Sequence, residues 1–149
     1  MDQIIAMLRQ YLSNSVVFAS TSHGFHWNVE GPLFHQFHEL FGDIYEDVDG
    51  TIDVVAEWMR KFDVQAPYTL QQFSDNQNFG ETLTSTNSPI VMSRMLLVMN
   101  DKMVNDIKEM FDAATAMKEQ GLANFMADRQ TAHEKWGWFL RSSIKQTIN

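Results

Sequence analysis

The sequence predicts an all-α fold: four long helices packed as a bundle, with one irregular crossover in the middle of the chain. Three observations lead there. Apolar residues recur at alternating spacings of three and four over most of the chain, which is the period of a buried helix face and not of a strand. Gly31-Pro32 interrupts this pattern once near the N-terminal end. Residues 64–88 are polar and carry no sustained period.

The first helix is marked by Ile4, Leu8, Tyr11, Ser15, Phe18, Ser22, Phe25 and Val29. Gly31-Pro32 breaks it, and proline is tolerated at the first position of a new helix. Phe34, Phe37, Phe41, Ile44, Val48, Ile52, Val55, Met59 and Phe62 then predict one continuous second helix, ending near Asp63 ahead of Pro67. Inside the crossover a short helix is predicted around Thr69 to Phe73. Ser88 as N-cap and Pro89 in the first turn open the third long helix. Its expected buried face is Ile90, Met95, Val98, Met99, Met103, Ile107, Met110, Ala114 and Met117, with Gly121 as its stop. The fourth helix runs from about Leu122 through Phe125, Arg129, Trp136, Phe139 and Leu140 to Ile144. Two helices, a long crossover and two more helices give the up-down-down-up, ferritin-like variant of the four-helix bundle. Strand content should be close to nil, and the methionines should fill gaps in the core. Residues 1–149 are expected to form one domain.

Composition narrows the chemistry. The 149 residues include no cysteine, which removes disulfides, thiolate metal sites and cysteine nucleophiles. The start MDQIIAMLRQ has no basic, small-residue signal pattern, and no apolar run spans a bilayer, so a soluble cytoplasmic protein with no membrane partner is expected. Net charge is −8. Glu30, Glu39, Asp43, Glu46, Asp47, Asp49, Asp53 and Glu57 fall in one stretch without Lys or Arg. Such a stretch attracts cations and repels phosphate, although a charge run is most often a solvated helix face.

The candidate ligands lie in the same region. His23, His26, His35 and His38 sit within sixteen residues, four of the five histidines of the chain. Asp53 and Glu57 are four apart, so both face the same way on the second helix. Imidazole and carboxylate without sulfur suit iron, manganese or zinc better than calcium. An ordinary di-iron bundle needs two Glu-x-x-His motifs on separate helices, and the chain has none. Around the Gly31-Pro32 turn, His26 and His38 can approach each other. Asp53 is fifteen residues beyond His38, roughly 22 Å along a helix, so one chain cannot bring both to one ion. If the second helix packs antiparallel on its own copy about a two-fold axis near Tyr45 to Val48, His38 of one chain meets Asp53 and Glu57 of the other. Such an isologous dimer carries two identical sites.

The run His26-Trp27-Asn28-Val29-Glu30-Gly31-Pro32-Leu33-Phe34, followed by His38, Phe41 and Tyr45, resembles the signature of the Dps family (DNA-binding proteins from starved cells). Asp53 and Glu57 match its next two ligand positions, and His133-Glu134-Lys135-Trp136-Gly137-Trp138 is similar to its last helix. The resemblance covers nearly the whole chain. It implies a homo-oligomeric, dodecameric shell that oxidises Fe(II), preferentially with hydrogen peroxide, at sites between subunits and stores ferric oxide inside. It also implies that His26 and His38 come from one subunit and Asp53 and Glu57 from the other, with Trp27 beside them. Zinc or manganese could take the place of iron. In one respect the chain departs from the family: the carboxylate usual four residues after the second His is Gly42 here, while Asp43 points about 100° away. A weakened second metal position is therefore expected, with His35 one turn before His38 as a conceivable substitute ligand. The alternative is a shell with weak or no ferroxidase activity. The second departure concerns DNA: neither end carries a Lys-rich tail to neutralise phosphates, so direct DNA binding is not expected. Glu119 and Asp128 fall near the family's pore, where ordinary surface acids are the plainer reading.

Overall fold

The computed structural model describes residues 1–80 and 85–146. Residues 81–84 of the predicted crossover and 147–149 of the C-terminal end lie outside the described residues. The described residues form helices α1 (Asp2–Asn28), α2 (Phe34–Asp49), α3 (Ile52–Lys61), α4 (Leu70–Asn76), α5 (Pro89–Ala116) and α6 (Gln120–Ile144), and no strand.

All eight positions of the first predicted stripe are buried. Its two serines fit because their hydroxyls donate to carbonyls one turn back, Ser15 to Tyr11 at 2.8 Å and Ser22 to Phe18 at 2.9 Å, so neither serine hydroxyl is left bare. The turn that follows needs glycine at one place: Gly31 has φ 129°, a region closed to side chains. The backbone N–H of Glu30 donates to Asn87 O at 3.0 Å, which ties this turn to the start of α5.

The predicted second helix is broken at Gly50-Thr51. Both residues keep right-handed helical dihedrals, so the chain bends instead of turning away. Gly50 weakens the helix there. Thr51 tightens it, since its N–H and its hydroxyl both reach Val48 O, at 3.1 and 2.7 Å. Phe37, Phe41, Ile44 and Val48 before the bend and Val55 and Met59 after it stay buried. Asp63 ends α3 in the left-handed region (φ 59°), with Val64 N–H donating to Met59 O at 3.0 Å. Phe34 departs from the expected stripe and is exposed.

Within the crossover, α4 carries a capping box between Thr69 and Gln72 and packs on α1. The crossover is pinned beyond it: Asn78 N–H donates to Asn14 Oδ1 at 2.9 Å, and Asn14 Nδ2 donates to Asp106 Oδ2 at 3.0 Å. Ser88 caps α5 and Pro89 opens it, as predicted. The helix does not stop at Gly121. Lys118 (φ 61°) ends it, with Glu119 N–H donating to Ala114 O at 2.9 Å. Gly121 lies in the first turn of α6, where a Cβ would meet the Trp58 ring at 3.1 Å. The glycine thus serves close packing of α3 on α6. Met92, Met103 and Met126 fill the core, whereas Ile90 and Val98, expected inside, face outward, Val98 at 63% exposure. With α1 packed along α2 and α5 along α6, and α2 and α3 standing as one bent helix, the result is the four-helix bundle with a single long crossover.

Candidate metal centre

His26, two residues from the end of α1, and His38, in the second turn of α2, do meet across the Gly31-Pro32 turn. Each ring nitrogen Nδ1 lies 2.6 Å from the other residue's backbone carbonyl oxygen. A carbonyl only accepts, so each Nδ1 carries the proton and donates. In the neutral form of each ring the remaining lone pair is then at Nε2. This is the arrangement in which a backbone partner fixes the tautomer of a metal-binding histidine. The rings stack with centroids 3.7 Å apart, and Phe34 stacks on His38 at 5.0 Å.

The other three histidines are placed differently. His23 lies face to face with Tyr45 (3.8 Å, 5° between planes) and against Trp27 at 4.2 Å. Trp27 is otherwise exposed, at 64%. His35 does not turn toward His38. It pairs with Glu39 at 3.0 Å on the open surface, which removes the observation that would have made it a substitute ligand. His133 is fully buried in α6, with both nitrogens engaged. Nδ1–H donates to Asn100 Oδ1 at 2.8 Å, and Nε2 accepts from the Arg129 guanidinium at 3.3 Å. Burial, and then the nearby Arg129 charge, push its pKa down to about 3, so it stays neutral.

Asp53 and Glu57 are both exposed on α3, opposite the buried Val55 and Met59. Among the described residues, no three His, Asp or Glu side chains of one chain come together to hold an ion. The chain thus presents two separate surfaces: a pair of imidazoles on α1 and α2, and a pair of carboxylates on α3.

Asp47 is not part of a solvated acidic face. Its carboxylate accepts from Arg129 NH1 and NH2 at 2.9 and 2.8 Å and from Trp136 Nε1 at 2.7 Å. Burial alone would raise its pKa, but the hydrogen bonds from Arg129 and Trp136 outweigh it and hold the carboxyl below its usual value. Sequence reading missed this network. The available signal was Arg129 itself, a cation on the apolar stripe of the last helix that required a partner.

The ferritin-like domain family matches residues 5–148. A DNA protection during starvation protein of Brevibacillus brevis is 27% identical over 147 residues, covering 97% of both chains. Dps from Thermosynechococcus elongatus superposes with a TM-score of 0.93 at 21% identity, over 98% of this chain and 92% of that one. A Dps protein of Vibrio cholerae, described as a member of a broad superfamily of ferritin-like diiron-carboxylate proteins, gives a TM-score of 0.91 at 22% identity, over 97% and 90%.

Proposed function

Because the chain belongs to the ferritin-like family, and within it to the Dps-type mini-ferritins, we propose that it is an iron-storage and detoxification protein with ferroxidase sites shared between two copies. In this reading His26 and His38 of one subunit and Asp53 and Glu57 of its two-fold partner bind Fe(II) as substrate. Two Fe(II) ions each give one electron to hydrogen peroxide. The O–O bond breaks, two protons are taken up, and two waters and two Fe(III) ions result. Supplying both electrons from neighbouring irons avoids release of hydroxyl radical. Carboxylate and imidazole donors favour the ferric product, and the chain's task is to hold and orient these groups. Ferric oxide then collects inside a cytoplasmic dodecameric shell, and the acidic surface disfavours direct contact with DNA. Zinc and manganese suit the same donors and would act as substitutes.

The observation that carries this reading is the pair of reciprocal 2.6 Å hydrogen bonds, which leaves Nε2 of both histidines available to a metal. Complementation between subunits tests it. Shells of His26→Ala subunits alone, and of Asp53→Asn/Glu57→Gln subunits alone, should lose fast peroxide-driven iron oxidation. Shells co-assembled from equal amounts of the two should regain about a quarter of the parent rate, since half of random dimers are mixed and each mixed dimer holds one intact site of two. Mixed shells as inactive as either parent variant would refute the shared site.

The second reading is a shell with weak or no ferroxidase activity, favoured by the missing side chain at Gly42. An assembled parent protein that oxidises iron no faster than peroxide does in free solution would put it in place of the first.

A further inference from the structure

Gly42 stands one turn after His38 on α2, beneath the His26 ring. A Cβ built there would lie 2.8 Å from His26 Nδ1, closer than such atoms approach, and 3.0 Å from His26 Cε1, a tight contact. The ring is not a free end that can step aside. The crowded atom, Nδ1, is the one that donates to His38 O at 2.6 Å, and the ring is stacked on His38 at 3.7 Å. Any side chain at position 42 therefore competes with the contact that fixes the His26 tautomer. We propose that Gly42 is a positioning residue for His26, free of a side chain so that the imidazole can lie against α2, and not a ligand position that has merely lost its carboxylate. This rests on reading His26 and His38 as metal ligands.

The two accounts of Gly42 predict opposite results. If Gly42 makes room, Gly42→Ala, which adds only a methyl group, moves the His26 ring off His38 O. It then weakens Co(II) binding by about tenfold or more, the usual effect of losing a metal ligand's orienting partner. Gly42→Asp binds no tighter than the alanine variant. If Gly42 is a vacated ligand position, Gly42→Ala is neutral and Gly42→Asp binds additional equivalents of Co(II). The measurements are anaerobic Co(II) titrations of the assembled protein, followed by visible absorption, and crystal structures of the metal-free variants. Parent-like Co(II) affinity in Gly42→Ala with the ring in place, or extra equivalents in Gly42→Asp, overturns the proposal. Should Gly42→Ala fail to assemble, adding His26→Ala restores assembly because the collision partner is gone; no rescue overturns it as well. Co(II) binding by the parent that His26→Ala leaves unchanged would instead refute the metal-ligand reading, and the ring position in metal-free Gly42→Ala still decides the role of Gly42.

Discussion

Replacing Asp47 with alanine should cost the fold about 3 kcal/mol. The change removes a carboxylate that accepts two hydrogen bonds from Arg129 and one from Trp136. It leaves the guanidinium of Arg129, whose side chain is 6% exposed, without its counter-charge. Breaking a buried ion pair from one side costs about 3–5 kcal/mol, because the surviving charge has no partner and little water. The Asp47 side chain is 29% exposed, which admits water to the gap and puts the estimate at the lower end. At about 3 °C per kcal/mol for a chain of this length, the thermal midpoint should fall by about 9 °C. The assay is thermal and urea unfolding at fixed protein concentration, because the proposed assembly would make apparent stability concentration-dependent. A double-mutant cycle completes it. Asp47→Ala/Arg129→Met removes both charges and should recover most of the loss. An Asp47→Ala protein within about 0.5 kcal/mol of the parent, or a double variant no more stable than Asp47→Ala, would refute the reading of this pair as a buried, paired charge.

Two further outcomes can be read from the same unfolding curves. His133 has a folded pKa of about 3, well below the ordinary imidazole value, so between the two values the unfolded chain binds a proton that the fold excludes. Stability should therefore be fully present above about pH 6.5 and fall by about 1.4 kcal/mol per pH unit below it; the depressed pKa of Asp47 adds loss in the same direction at lower pH, and His133→Gln should flatten the slope. Lys118 holds a left-handed conformation at the end of α5, so Lys118→Gly should stabilise the chain by about 1 kcal/mol, seen as a rise of about 3 °C in the thermal midpoint, with no rise counting against the cap.

The parts of this structure that sequence reading reached are those in which neighbours along the chain decide the outcome. The α1 stripe was legible through Ser15 and Ser22 because a serine on a buried helix face can donate to a carbonyl one turn back. The meeting of His26 and His38 was legible because a tight turn between antiparallel helices pairs residues at equal distances from it. What stayed hidden depended on distant partners. Asp47 and Arg129 are 82 residues apart, and in the sequence Asp47 is one acid among eight. The stop of α5 was misplaced because Gly121 is the conformationally free residue near the end, yet Lys118 takes the left-handed position. Gly121 is held by something the sequence does not display, the Trp58 ring packed on it from α3. The break at Gly50-Thr51 had a visible cause in residue type, but the unbroken apolar stripe across it pointed to one helix.

The same contacts explain why metal chemistry, on the proposed reading, belongs at the surface of this bundle and not in its interior. An imidazole or carboxylate can serve a metal only if it retains a lone pair that no closer partner claims. In the interior, His133 has both nitrogens committed and Asp47 shares its oxygens between Arg129 and Trp136. An arriving cation would face a guanidinium that is already buried there. His26 and His38 are bound to each other's backbone through Nδ1 alone, which orients the rings without consuming Nε2. Asp53 and Glu57 are exposed, with no intrachain partner among the described residues. The donors that remain available thus lie on separate outer surfaces, and a second copy of the chain is what can bring them together.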